Sequence, residues 1–293
     1  MEERYRIIKE LGDQKIRKFG TTYLAIDTIS QRKVVLKKFI QSKDNVHLFK
    51  QVQLESTFDF KEYGLPKVID YSVNKNISLL VLAYKEGIPI DQFWNKIKRK
   101  NRLVFLKEFI HQLIPIFNCL TAQQIVHCDI KPGNVIIEEK DTGFKVHLID
   151  FGMAARKNTQ RNVLFPLGYA APELTLNHLP ILDHRTDQFS LGILLWKLYT
   201  GEIPLSHKNP SIFTNLQITH PLPEHSKLPR KIYRILFKMT KKHPFSVPPN
   251  RLNKEEVREL LTQGMSERYA SLTEVKKDFE KIKPLFYQIR SRR

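Results

Sequence analysis

Cysteine is almost missing from this chain: 293 residues hold two, Cys119 and Cys128. So few exclude a disulfide framework and argue for a reducing compartment, so a cytoplasmic location is expected. Long uncharged apolar runs are missing too. The longest stretch without Asp, Glu, Lys or Arg, residues 109–128, is interrupted throughout by His, Gln, Asn and Thr, so no membrane span is expected. No apolar run follows Met1-Glu2-Glu3-Arg4, and no signal peptide is expected. Internal repeats and low-complexity linkers are absent. Acidic residues are outnumbered, 30 against 49 basic, for a formal charge of +19. That excess suits an acidic partner such as nucleic acid, anionic lipid or an acidic substrate. It is spread along the chain rather than gathered in a block, so a lysine-rich solvated surface is the simpler reading. Nothing resembles an aromatic stacking platform, so nucleic acid is not the expected partner.

What is present is 41% hydrophobic residues, enough for an ordinary globular core. The most informative stretch is Ile125 to Ile137. Apolar runs flank a polar knot, and Pro132-Gly133 forces a loop between them. Asp129, Lys131 and Asn134 therefore sit on a loop held from both sides. Phe144 to Ile149 reads as a second buried strand, stopping at Asp150-Phe151-Gly152. Two acids and an amide end on adjacent turns. An acid to orient a hydroxyl, with an acid and an amide to hold a metal, is what phosphoryl transfer requires.

His127-Cys128-Asp129-Ile130 with Asn134, then Asp150-Phe151-Gly152, then Ala171-Pro172-Glu173 resembles the protein-kinase signature set in order and spacing. The resemblance runs from about Tyr5 to about Lys281. Lys131, two residues after Asp129, resembles the Ser/Thr-specific branch, and the overall look is similar to bacterial eukaryotic-like Ser/Thr kinases. It implies an α+β, bilobal protein-kinase-like fold: a small β-rich N-lobe over residues 1–83 and a large α-helical C-lobe over 84–293. It implies ATP and Mg2+ as cofactors and a protein serine or threonine as substrate. Asp129 would orient the substrate hydroxyl, Lys131 would neutralise the moving phosphate, and Asn134 and Asp150 would hold magnesium. Lys37 would meet the α- and β-phosphates and pair with Glu55, with Glu62 the fallback. Gly12 and Gly20 would bound the phosphate-covering loop. Leu82 falls at the gatekeeper position, and Ala83 to Lys85 at the hinge that reads adenine.

Several positions depart from the family pattern. Asp13 to Lys18 is long and holds no glycine, so its backbone approaches phosphate poorly; Lys15, Arg17 and Lys18 offer charge instead. Thr22 stands where the family has valine, and Val35 replaces an alanine under the base. Cys128 replaces the arginine that reads activation-loop phosphate, and Pro166 replaces a threonine that bonds the catalytic acid and lysine. Thr159 alone supplies a hydroxyl between Gly152 and Phe165, and it is not expected to be a required switch. These departures keep open two alternatives: a pseudokinase acting as a binding or scaffold module, and a small-molecule kinase.

Elsewhere the pattern predicts strands over 5–39, 68–71 and 77–83. It predicts helices over 46–58, 102–124 bent or weakened at Pro115, 187–201, 228–242 and 254–263, with 275–286 closing the domain. His127 is expected beneath Phe151. Asp187 is expected either to brace the catalytic loop or to cap its helix. Arg268 is expected to pair with Glu173, after an apparent insertion over 245–267. The oligomeric state is not legible.

Overall fold

The computed structural model describes residues 4–12, 20–40, 46–74, 76–156 and 165–283. The expected loop cations Lys15, Arg17 and Lys18, the hydroxyl of Thr159 and residues 284–293 lie outside them.

β-branched and aromatic residues open the chain and form strands β1 (Tyr5–Leu11), β2 (Gly20–Asp27) and β3 (Lys33–Ile40). Helix α1 (Val46–Ser56) follows, then β4 (Val68–Asn74) and β5 (Ile77–Ala83). All neighbouring strands are antiparallel, in the order β1-β2-β3-β5-β4. The sheet curls until its edges approach: Tyr5 Oη donates to Asp70 Oδ2 at 3.4 Å, across from β1 to β4. Tyr5, Ala25, Val34, Leu36, Leu79 and Val81 fill the concave side. This is the expected small lobe.

The large lobe holds one extended core. A two-residue strand β6 (Ile88–Pro89) leads to α2 (Ile90–Lys96) and then the long α3 (Arg102–Ala122). The latter is long and apolar enough to cross a bilayer, but Phe105, Leu106, Phe109, Ile110, Leu113, Ile116, Phe117 and Leu120 are buried in the core. Pro115 lies within α3 without ending it. Both Pro115 and His111, whose carbonyl loses its helical partner, face solvent, so water satisfies that group.

Short strands β7 (Ile125–Val126), β8 (Val135–Lys140), β9 (Gly143–Leu148) and β10 (Ala155–Arg156) frame the polar turns. Then come α4 (Pro172–Thr175), α5 (His184–Thr200), α6 (Pro210–Thr219), α7 (Arg230–Met239), α8 (Lys254–Ser266) and α9 (Leu272–Glu280). Thirteen of the seventeen residues of α5 are buried, which makes it the central helix. It begins three residues before the predicted start, because Asp183 rather than Asp187 caps it by accepting from the Arg185 amide. Gly201, at φ 91°, ends it in the left-handed region. The ends of α7 also move: Pro229 sits at its N-cap, and it is shorter than predicted. Ser271 caps α9. Asn253 and Glu256 form the predicted capping box of α8.

Candidate active site

Period-two alternation in β3 sends one of the adjacent lysines inward. Lys37 is buried, and its Nζ lies 2.7 Å from Glu55 Oε1, 2.9 Å from Glu55 Oε2 and 2.7 Å from Asp150 Oδ1. The expected pair therefore forms with Glu55, not with Glu62. Burial alone would lower the Lys37 pKa, but the carboxylates of Asp150 and Glu55 outweigh it and hold the ammonium charged above its usual range. The same ammonium drives Asp150 well below the ordinary carboxylate range. The side chain of Asp150 is 44% exposed, so it faces an open cleft rather than a sealed core.

Asp150 has φ 65°, which turns the chain sharply at the end of β9. Gly152 leaves the necessary room: a Cβ there would lie 3.2 Å from Asp150 Oδ1 and 3.9 Å from Lys37 Nζ. Between them, Phe151 is buried, its ring 4.5 Å from His127, 4.8 Å from Phe60 and 5.8 Å from Phe58. Its amide donates to Glu55 Oε1 at 3.2 Å, so α1 and this turn share one carboxylate.

The two polar turns are fastened to each other. The Ile149 amide donates to the Asn134 carbonyl at 2.9 Å. His127 Nε2 donates to the Ile149 carbonyl at 3.0 Å, while its Nδ1 accepts from the Asp129 amide at 3.2 Å. Those roles fix a neutral imidazole, in keeping with a pKa that burial lowers to about 4. His127 is thus a structural strut, as expected. Asp187 accepts from the amides of His127 at 2.7 Å and Cys128 at 2.9 Å, so it braces this loop and is not a cap.

Asp129 is buried, and Asn134 Nδ2 donates to its Oδ2 at 2.7 Å and to its carbonyl at 2.8 Å. Lys131 Nζ lies 2.8 Å from the same Oδ2 and 3.1 Å from Oδ1. Burial raises the Asp129 pKa to about 6 despite the neighbouring ammonium. An amide that spends its nitrogen on Asp129 keeps its oxygen for a cation.

The base-reading positions are only partly as expected. Leu82 is buried with Val52 and Leu80, and the partly buried Val35 packs against them. Ala83 donates its amide to the Lys67 carbonyl. The Lys85 backbone joins no backbone hydrogen bond among the described residues. Its ammonium instead donates to the Tyr63 carbonyl and stands 4.7 Å over the Tyr63 ring. Gly12, at φ 86°, turns the chain out of β1. Gly20 is small for a packing reason: a Cβ there would meet the Phe39 ring at 2.6 Å.

Cys128 is fully buried with Val126, Ala155, Ala170 and Leu174, so an apolar cluster stands where the family arginine would be. Pro166 offers only its carbonyl, which accepts from Tyr169 and Ala170. Arg268 grips Glu173 through Nη1 at 2.6 Å and Nη2 at 3.0 Å.

Sequence reasoning missed Gln51. One turn before Glu55 and on the same face, it is buried and donates to the Ala154 carbonyl at 3.0 Å. It also missed Phe58 and Phe60, whose rings close over Phe151.

The chain matches the protein kinase domain family over residues 5–276. It is similar to the serine/threonine-protein kinase PrkC of Bacillus subtilis, 26% identical over 83% of this chain and 38% of that protein. It is similar to serine/threonine-protein kinase A of Synechocystis, 26% identical over 85% of this chain and 51% of that protein. Serine/threonine-protein kinase PknA of Nostoc is 29% identical over 70% of this chain and 38% of its own length. The chain thus spans between 32% and 51% of the length of the relatives first matched. A five-stranded lobe above a helical one, matched to one domain family almost from end to end, places this chain in the protein kinase family.

Proposed function

We propose that this chain transfers the γ-phosphate of ATP to a serine or threonine hydroxyl of a protein. The observation that carries this reading is the Lys37 ammonium held between Glu55 and Asp150 in one cleft with Asp129. The names of the matched relatives point the same way.

The donor set fits magnesium. Among the described residues no group of three or more His, Cys, Asp and Glu forms a metal cage. Magnesium instead takes one or two protein oxygens together with substrate phosphates. Asp150 and Asn134 would hold it, and when bound it offsets the negative charge of the phosphates. Asp129, ionised, accepts the hydroxyl proton of the substrate through hydrogen-bond contact. Lys131, already on Asp129, supplies positive charge beside that oxygen. Lys37 binds phosphate oxygens, and Glu55 fixes its direction. The backbone of Ala83 to Lys85 reads the base, and Gly12 and Gly20 bound the covering loop.

The division into lobes after Ala83, the insertion over 245–267 and a cytoplasmic location belong to this reading. The apolar burial of Cys128 supports independence from activation-loop phosphorylation. The test is incubation with γ-labelled ATP and magnesium, comparing a mixed protein extract with a metabolite pool. Label on protein serine or threonine, lost by about 10²–10³-fold in Asp150→Ala, is the expected result. Label on metabolites alone would make the chain a small-molecule kinase. No label, with nucleotide still bound, would make it a pseudokinase.

A further inference from the structure

A cavity of about 680 Å³ lies against the connection between the lobes, and its lining includes none of Lys37, Glu55, Asp129, Asn134 or Asp150. Its charges are unequally compensated. Arg4 is closed onto Asp27 by two hydrogen bonds, Lys33 meets Glu86 at 2.8 Å, and Glu138 is engaged by Lys140 and His147. Two cations of the lining, Arg32 and Lys67, have no ion pair among the described residues, and a third, Lys85, feels Glu138 and Glu62 only at longer range. Arg32 and Lys67 are exposed, and the hydrogen bond of the Lys85 ammonium goes to a neutral carbonyl. Apolar surface lies between them. Ile69 is 40% exposed and Tyr63 is 61% exposed, and both line the cavity.

We propose that this cavity docks an acidic peptide segment of a protein partner. Charge complementarity selects an anionic occupant: the unpaired Arg32 and Lys67 and the loosely compensated Lys85 line one concavity, outside the phosphate-transfer cleft. The apolar wall selects a peptide over a bare phosphate, because a compact anion would leave Ile69 and the Tyr63 ring in water. Aspartate or glutamate beside leucine or phenylalanine satisfies both kinds of wall. Lys85 also belongs to the hinge, so an occupant that engages its ammonium touches the segment proposed to read the base.

The test is binding of a fluorescent peptide of alternating glutamate and leucine, at physiological salt and with saturating Mg-ATP. Occupying the cleft in this way separates the cavity from the active site. Docking at the cavity is a binding event, and it stands or falls whether or not phosphate is transferred. Charge reversal at Arg32→Glu with Lys67→Glu is expected to weaken binding at least tenfold. The same change of net charge on α7, Arg230→Glu with Lys231→Glu, is expected to leave it within twofold. Equal loss in both variants would mean the peptide follows the overall field, and would overturn the proposal. So would a peptide with its leucines replaced by glycine binding as tightly as the parent, or tripolyphosphate displacing the parent at equal concentration.

Discussion

Asp129 meets two opposing demands. Its site is dry, which raises its pKa from the ordinary 3.8 to about 6, yet it must be ionised to accept a proton. A group raised in this way adds stability that is complete below pH 3.8 and is lost as pH rises through 6. Activity runs in the other direction. The expected outcome is kcat/KM falling on the acid side with an apparent pKa near 6, while thermal stability falls toward alkaline pH over the same window. Asp129→Asn keeps the size and the contact to Lys131. It is expected to flatten that stability slope while lowering kcat by about 10²–10⁴-fold. A kcat/KM profile flat down to pH 4.5 would contradict the role of Asp129. At Cys128, a side chain buried in an apolar cluster stands in place of a phosphate-binding arginine, so Thr159→Ala should retain most activity; a large loss in a direct kinetic assay would sink that expectation.

Among the elements, α1 decides how the small lobe meets the turn at Asp150. It presents two polar residues inward, Glu55 to Lys37 and Phe151, and Gln51 to Ala154. The strand pair β7–β10, with Ala155 opposite Val126, anchors the same segment from the other side. Gln51→Leu keeps the bulk but removes one buried hydrogen bond to the Ala154 carbonyl, a cost of about 0.5–1.5 kcal/mol. It is expected to lower kcat by about two- to tenfold with a small change in melting temperature, and to speed amide exchange over 151–156. Unchanged exchange with lowered kcat would show that Gln51 does not act through this contact. Gln51 was not legible in the sequence because an amide on a helix reads as a solvent-facing residue. The apolar stripe through Val52 and Leu54 gave no sign that its polar neighbours also face inward. Asp129, Asn134 and Asp150 were legible for the opposite reason: polar residues that interrupt buried runs have few places to go. The start of α5 was misread because Asp183 and Asp187 are both competent caps by composition, and only the tertiary position of the catalytic loop separates their roles.

Across the whole molecule, the buried pair of Glu173 and Arg268 joins segments 95 positions apart. Thr186 adds a hydrogen bond to Glu173 at 3.0 Å, and the Arg268 guanidinium also bonds the carbonyls of Lys241 and Arg185. Both carboxylate oxygens and all three guanidinium nitrogens are engaged, so removing one partner strands the other. Glu173→Ala is expected to cost about 3–5 kcal/mol, read as a lowered urea midpoint with an unchanged slope. A midpoint within error of the parent would mean that the large lobe closes without this pair. The bilobal plan was legible because short strands precede long amphipathic helices, and the family motif selected Lys37 over Lys38, while the direct bond from Lys37 to Asp150 across the lobes appears only in the structure. The central claim is that Lys37 and Asp150, from different lobes, serve one nucleotide cleft. Calorimetric ATP affinity with and without magnesium tests it most directly. The account predicts that magnesium tightens binding in the parent and has no such effect in Asp150→Asn; equal tightening in both proteins would contradict it.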